Sequence, residues 1–145
     1  MTYQALHGHY LEDLQVGMSE TYAKTVTEAD IVAFAEISGD TNPVHLDEAF
    51  AAATPFKGRI AHGMLGASLI STVFGTRLPG PGSIYISQDL RFKAPVRIGD
   101  TVTARVTVTE IIAEKRRVKF ACDCRVGDTV VIEGEAVMMV SRRAK

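Results

Sequence analysis

The stretch from residue 63 to residue 78, GMLGASLISTVFGTRL, decides the fold. Its large apolar side chains are spread over most faces of a helix, which is typical of a helix that is buried nearly all round. The small residues between them would let a sheet approach closely. The stretch therefore predicts a long central helix that starts near Gly63 and ends before Pro79. The large apolar residues are Met64, Leu65, Leu69, Ile70, Val73 and Phe74.

After this helix the apolar residues recur at every second position, which indicates strands. The clearest example is RIGDTVTARVTVTEII, residues 97–112, in which four small apolar side chains fall on one face. Two short segments, AEKR and then GD, predict turns between the later strands. Three or four consecutive antiparallel strands are therefore expected after the central helix. The alternating segments are residues 83–96, 97–112, 117–126 and 129–141.

Before the central helix, an irregular lead-in over residues 1–18 is expected to precede a strand, SETYAKTV, and a helix, TEADIVAFAEISGD. Thr27 is suited to cap the start of this helix and Gly39 to end it. Asp47 is the expected N-cap of a short second helix, which Pro55 closes.

This order of elements predicts an α+β fold in which a curved antiparallel sheet wraps around one long helix. The whole chain, residues 1–145, is expected to form a single domain of ordinary size. A single sheet leaves strand edges rich in Val and Thr, and such edges usually find a partner. We therefore predict a homodimer or a higher homo-oligomer.

The composition narrows the functional classes. The formal net charge is −1, which gives no broad attraction to nucleic acid or to an anionic membrane. The first residues lack the pattern of a secretion signal, and no apolar run is long enough to span a bilayer, so a cytoplasmic location is expected. Cys122 and Cys124 are two apart on one strand, a spacing unsuited to a disulfide and too few ligands for a closed zinc site. We therefore expect no structural metal and no disulfide.

The segment SGDTNPVHLD, residues 38–47, is the first candidate for chemistry. Pro43 disfavours helix at the preceding residue, so residues 40–45 are expected to form an ordered, non-helical turn. Such a turn could bring the carboxylate of Asp40 and the imidazole of His45 to one side, where they could share a water as an acid–base pair. Asn42 could hold the water or hold the turn. The alternative is an ordinary loop between two helices, because these residue types are also common in turns.

The segment GRIAHGML, residues 58–65, favours the catalytic interpretation. Gly63 stands at the start of the central helix, where backbone N–H groups have no partner within the helix and face the positive end of its dipole. Such a group can bind a carbonyl oxygen and stabilise the negative charge that develops there. His62 could equally be a structural histidine. A polarised carbonyl, a water and two proton carriers are what the addition of water to a conjugated thioester requires, without a metal or an organic cofactor.

These segments together resemble the MaoC-like, (R)-specific enoyl-CoA hydratases of the hydratase 2 family. The resemblance rests on residues 38–65, SGDTNPVHLDEAFAAATPFKGRIAHGML, and extends from about Asp30 to Val140. It implies the hot-dog fold, dimers or higher assemblies, and reversible hydration of an enoyl-CoA to the (R)-3-hydroxyacyl-CoA. The resemblance further implies residue roles. Asp40 and His45 would be the acid–base pair, Asn42 would position the water, Gly63 would bind the thioester carbonyl through its N–H, and Ser68 would support the active-site segment.

The substrate class can be narrowed as a hypothesis. A short single-domain chain with Met64, Leu65 and Leu69 on the central helix favours a pocket for short acyl chains, such as that of crotonyl-CoA, in polyhydroxyalkanoate supply or another short-chain pathway. Coenzyme A phosphates need cations, and the candidates are Lys57 and Arg59 within the motif and Lys93 in the strand region that follows the central helix. Two alternatives stay open, namely an acyl-CoA thioesterase of the same fold and a non-catalytic acyl-CoA binding module.

Overall fold

The central helix, α5 (Gly63–Thr76), lies against the concave face of a curved sheet. The structure is a computed structural model that describes residues 1–144. Ile70, Val73 and Phe74 are fully buried between the helix and the sheet, and Leu69 is 6% exposed. The predicted helix, with its end before Pro79, is therefore confirmed.

The sheet has six antiparallel strands, which follow each other in the order β1-β4-β5-β6-β2, with β3 also paired to β6. The four alternate side chains predicted for the inner face of β4 are no more than 1% exposed, because they pack under α5. The α+β hot-dog arrangement is confirmed. The strands are β1 (Ser19–Thr25), β2 (Ile84–Gln88), β3 (Arg91–Phe92), β4 (Thr101–Ile112), β5 (Arg117–Val126) and β6 (Thr129–Met139).

Five strands follow the central helix, rather than the three or four expected. The additional division falls at Asp89, between β2 and β3, where the backbone crosses directly over Gly134 of β6. A Cβ atom built on Gly134 would lie 2.0 Å from the carbonyl oxygen of Asp89. The glycine therefore permits a close crossing that separates one alternating segment into two strands.

The remaining α-helices precede α5, and three of their predicted caps are present. The hydroxyl of Thr27 accepts from the N–H of Asp30, and Gly39 ends its helix with a left-handed φ of 78°. Asp47 accepts from the N–H of Phe50, as predicted for an N-cap. The helices are α1 (Tyr3–Leu6), α2 (Glu28–Ser38), α3 (Pro43–Leu46) and α4 (Glu48–Ala52), with short 3-10 helices at Leu11–Asp13 and Ala113–Lys115.

Two expectations about irregular segments were wrong. The lead-in holds α1 and a 3-10 helix. More importantly, residues 40–45 are not wholly non-helical, because Pro43 begins the single turn α3. Proline does disfavour helix at Asn42, whose backbone is not helical, but its fixed φ and missing N–H suit the first position of a helix.

Cys122 and Cys124 are free and buried. Burial raises the pKa of each thiol to about 12. Within residues 1–144, no helix has both the length and the apolar character needed to cross a membrane.

Candidate active site

A cavity of about 640 Å³ opens beside the N-terminal end of α5. Its wall is formed by the end of α2, the loop and single turn that follow it, the segment that enters α5, and the chain around β3. Asp40, His45 and Gly63 all line this cavity. The structure therefore brings together the three residues that the sequence singled out for chemistry.

Asp40 is placed by the end of α2. The left-handed Gly39 turns the chain out of the helix, and the N–H of Asp40 then donates to the hydroxyl of Ser38 at 3.1 Å. One carboxylate oxygen of Asp40 accepts from the N–H of Asn42 at 3.2 Å. The other oxygen remains available to a water or a substrate, and the side chain is exposed toward the cavity mouth.

His45 lies on α3 and is 8% exposed. Its Nδ1 atom is 2.8 Å from the carbonyl oxygen of Ile60. Since a carbonyl oxygen only accepts, Nδ1 carries the proton of that bond, and the neutral ring then has its lone pair on Nε2. This arrangement leaves one ring nitrogen free for proton transfer.

His62 stands directly beside this pair. Its ring stacks on that of His45 with centroids 3.9 Å apart, and its Nε2 is 2.9 Å from the backbone carbonyl oxygen of Asp40. One donor atom from each of Asp40, His45 and His62 lies within 4.8 Å of the others. From the sequence, His62 could be a structural histidine. Only its place next to Gly63 indicated a position near the site.

These three groups could be taken for a metal site, but the stacking argues otherwise. The lone pairs of an imidazole lie in the plane of its ring, and the two ring planes are only 28° apart at a separation of 3.9 Å. Lone pairs from two such stacked rings do not converge on an ion about 2.0–2.1 Å from each nitrogen. The arrangement suits proton transfer better than metal binding.

Gly63 is the first residue of α5, so its N–H belongs to the group that a helix leaves unpaired. A Cβ atom built at this position would lie 2.7 Å from Cε1 of Phe92, inside normal contact distance. Only glycine therefore lets this ring lie against the start of the helix. The N–H of Gly63 can donate to a carbonyl group that enters the cavity, because Gly63 lines it.

The two predicted supporting residues lie in different surroundings. Asn42 caps α3, with its side-chain oxygen accepting from the N–H of Val44 at 3.1 Å, so it holds the turn. The hydroxyl of Ser68 donates to the carbonyl of Leu65 on its own helix, and Ser68 lines a second cavity of about 540 Å³. Its support of the active-site segment remains a prediction.

The three residues predicted to form an acyl pocket lie in different surroundings. Met64 lines both cavities, but Leu65 and Leu69 pack into the core and are absent from the described linings of these two cavities. The apolar lining of the cavity beside the start of α5 includes three phenylalanines that sequence analysis did not single out. Single aromatic residues in separate segments give no signal that they will meet. They are Phe34, Phe56 and Phe92.

The three predicted phosphate-binding cations also differ. Lys93 lines the cavity and has an exposed side chain, 3.7 Å from Glu133. Lys57 is exposed next to the cavity wall and has an unusual φ of 62°. Arg59 is largely buried, because its guanidinium donates to the carbonyl of His45 and to Glu28, each at 2.8 Å. The guanidinium of Arg59 is thus engaged within the fold.

Comparison with known proteins identifies the family. The profile of the MaoC like domain matches residues 14–126, which is most of the chain. The chain belongs to the MaoC-like family. The match covers strands β1 to β5 and the central helix, and it includes every candidate site residue.

Two MaoC-like relatives are similar over nearly their whole lengths. An (R)-specific enoyl-CoA hydratase from Rhodospirillum rubrum is 60% identical over 135 residues, covering 93% of this chain and 94% of that protein. A 3-hydroxybutyryl-CoA dehydratase from Methylorubrum extorquens is 58% identical over 134 residues, covering 92% of this chain and 85% of that protein.

Solved structures agree with this assignment. The unliganded R-hydratase from Pseudomonas aeruginosa superposes with a TM-score of 0.89 at 43% identity, covering 95% of this chain and 89% of that one. The (R)-hydratase of Aeromonas caviae, described as involved in PHA biosynthesis, has a TM-score of 0.86 at 45% identity, covering 89% and 98% of the two chains. The MaoC-like fold of this chain is therefore that of solved (R)-hydratases.

Proposed function

We propose that this chain catalyses the reversible, (R)-specific addition of water to short trans-2-enoyl-CoA thioesters, with (R)-3-hydroxybutyryl-CoA as the product from crotonyl-CoA. It is a hydro-lyase, an enoyl-CoA hydratase that acts as a 3-hydroxyacyl-CoA dehydratase in reverse. The observation that carries the proposal is that Asp40, His45 and Gly63 line one apolar cavity. The similar hydratases and dehydratases support the same activity and its stereochemistry.

The chemistry follows from the positions of these groups. The N–H of Gly63 lies at the positive end of α5 and donates a hydrogen bond to the thioester carbonyl oxygen. This bond stabilises the negative charge that develops on that oxygen. This polarisation leaves the β carbon electron-poor, so that the oxygen of a water held by Asp40 and His45 can bond to it. One proton leaves that water and one proton is delivered to the α carbon, and the dyad carries both transfers. Neither step needs a metal or an organic cofactor, since coenzyme A enters as part of the substrate.

A short acyl chain is favoured because aromatic rings bound the cavity. Phe56 and Phe92 line it together with Asp40 and His45, and Met64 lines both this cavity and the second one. Crotonyl-CoA is therefore expected to react faster than a ten-carbon enoyl-CoA. A higher kcat/KM for the ten-carbon substrate would contradict this preference.

The coenzyme A phosphates are proposed to contact Lys57 and Lys93. Both ammonium groups are exposed near the cavity wall, whereas the guanidinium of Arg59 is bound within the fold. Nucleic acid and membranes are not expected as partners, given the net charge of −1. A cytoplasmic location is likewise proposed.

Assembly into at least a homodimer is proposed from the edge of the sheet. Strand β2 is an edge strand, and its Ile84, Tyr85 and Ile86 are 39–50% exposed. An apolar edge with unpaired backbone groups is the surface that a second copy would cover. Light scattering at micromolar concentration should give at least twice the mass of the chain, and a monomer would contradict the proposal.

The decisive experiment follows the ultraviolet band of the conjugated thioester in crotonyl-CoA. The wild type should remove this band, and Asp40→Asn and His45→Gln should each lower kcat by at least ~10²-fold, because a missing proton carrier disables the pair. Asp128→Asn, in the exposed turn between β5 and β6, and His9→Gln, outside the cavity, are the matched controls and should keep wild-type rates.

Other outcomes separate the alternatives. Release of free thiol with the band otherwise unchanged would replace hydration by thioester hydrolysis. Binding of acyl-CoA without either reaction would indicate a non-catalytic module. Formation of the (S) product, detected by chiral analysis, would refute the stereochemistry.

A further inference from the structure

His62 is a buried polar residue of the site, and it has no role in the chemistry proposed above. It is 3% exposed and makes contacts with both members of the acid–base pair. Its Nδ1 is buried and has no hydrogen-bond partner within residues 1–144. A buried imidazole with one unsatisfied nitrogen is costly, so its remaining contacts need an explanation.

The position of His62 in the chain gives no local reason for a histidine. It is the N-cap of α5, where Ser, Thr, Asp or Asn would stabilise the helix by accepting from its free N–H groups. The His62 side chain makes no such bond. It is directed away from its own helix and donates to the chain at Asp40 instead. The residue is therefore better explained by what it does for the site than by what it does for the helix.

The first contact holds the catalytic carboxylate. Asp40 is exposed and follows a helix end, a location in which backbone is usually mobile. The bond of 2.9 Å from Nε2 of His62 to the carbonyl of Asp40 ties this backbone to the buried entry of α5. Because the acceptor is a carbonyl, Nε2 carries the proton.

The second contact holds the catalytic imidazole. The rings of His62 and His45 are stacked at 3.9 Å, and Phe34 covers His62 with centroids 4.8 Å apart. One face of the His45 ring is thereby packed, while its Nδ1 is fixed by Ile60. With both constraints, the ring has one orientation for its free Nε2.

We propose that His62 is a positioning residue of this reaction, which sets Asp40 through a hydrogen bond and His45 through a stacked ring. His62 directly precedes Gly63 in the chain. It therefore connects the backbone that carries the carbonyl-binding N–H to both proton carriers. The proposal rests on the proposed function. It assigns His62 no proton transfer of its own.

Three substitutions separate the hydrogen bond from the stacking and from general stability. In His62→Gln the longer amide can place its nitrogen near the position of Nε2 and keep the bond to Asp40. His62→Asn has the same amide but is too short to reach, and His62→Phe keeps a ring without a donor. With crotonyl-CoA we expect His62→Gln and His62→Phe, which each keep one of the two contacts, to lose ~3–10-fold in kcat. His62→Asn, which keeps neither, should lose at least ~30-fold, and KM should change by less than ~3-fold in all three; equal kcat for the Phe and Asn variants would overturn the role of the ring.

Equal kcat for the Gln and Asn variants would overturn the role of the hydrogen bond, and a change confined to KM would overturn positioning for chemistry. Since a variant can fail to fold, the wild type supplies a second test that does not use activity. Nitrogen-15 spectra of labelled histidine should show the proton of His62 on Nε2 and that of His45 on Nδ1. A proton found on Nδ1 of His62 with none on Nε2 would refute the arrangement. Loss of hydration in the wild type would instead refute the proposed function and leave this spectrum unchanged.

Discussion

Replacement of Gly63 by alanine tests the carbonyl-binding role directly, and the structure gives the size of the perturbation. The new methyl carbon would lie 2.7 Å from Cε1 and 2.8 Å from Cδ1 of Phe92. Phe92 is 53% exposed, so its ring can turn aside without moving the core. Overpacking costs roughly 1–3 kcal/mol when the surroundings are rigid, and alanine regains up to ~1 kcal/mol in a helix. The free energy of unfolding should therefore change by no more than about 1 kcal/mol.

The effect on the reaction should be much larger than the effect on stability. The methyl group would displace the Phe92 ring, which lines the same cavity as Gly63, and would hinder the approach of the thioester carbonyl to the N–H of Gly63. Loss of one such donor costs about 10²–10³-fold in kcat. We therefore expect Gly63→Ala to fold, to melt near the wild-type temperature, and to hydrate crotonyl-CoA ~10²–10³-fold more slowly.

The same helix supplies the control. A Cβ atom on Gly75 would have no heavy atom within 4 Å outside its immediate surroundings, so Gly75→Ala should stabilise the chain by ~0.5–1 kcal/mol and leave activity unchanged. The double variant Gly63→Ala with Phe92→Leu separates the ring from the N–H. Near-normal kcat in Gly63→Ala would refute the carbonyl-binding role, and full recovery of kcat in the double variant would show that displacement of the ring caused the loss.

Three further predictions concern charge, capping and burial. Lys57→Asn removes the cation but keeps a residue type that tolerates the φ of 62°. It should raise the KM for crotonyl-CoA several-fold with kcat unchanged. An unchanged KM would show that Lys57 does not contact the phosphates. Thr27→Ala should lower the free energy of unfolding in urea by ~1 kcal/mol, and a neutral result would show that the Thr27–Asp30 capping box adds nothing. The pKa of the Cys122 and Cys124 thiols is about 12 in the folded chain and about 9 in the unfolded chain. Because only the unfolded chain loses these protons between about pH 9 and 12, the free energy of unfolding should fall as the pH rises through this range. Urea titrations across this range test the slope, which should be shallower after Cys124→Ala.

The central helix and the long strands could be predicted because their apolar period reports their surroundings. An apolar residue at every second position of β4 has one interpretation when a buried helix precedes it, and Val102 and Val106 are indeed fully buried. The single turn α3 could not be predicted in the same way. Pro43 both disfavours helix before itself and starts one after itself, and a four-residue helix has too few positions to show a period.

The acid–base pair and Gly63 could be named from the sequence because they lie in two short segments with unusual residue types. The cavity wall could not, since Phe34, Phe56 and Phe92 come from a helix, a loop and a strand, and each alone resembles an ordinary core residue. Arg59 shows the reverse limitation. A cation next to a motif looks available for phosphate, but only the fold reveals that it donates to the carbonyl of His45.

That contact of Arg59 belongs to a set of hydrogen bonds that holds the segments carrying Asp40 and His45. Asp40 and His45 lie on a short loop and a single helical turn, neither of which is stable by itself. The segment that enters α5 runs beside them and makes four hydrogen bonds to them, from or to Arg59, Ile60 and His62. The next residue is Gly63, so the proton carriers are fixed to the same piece of backbone that presents the carbonyl-binding N–H. Preorganisation of this kind requires both segments to keep their spacing. A change in the length of the chain between Arg59 and Gly63 should therefore abolish activity even where the fold survives.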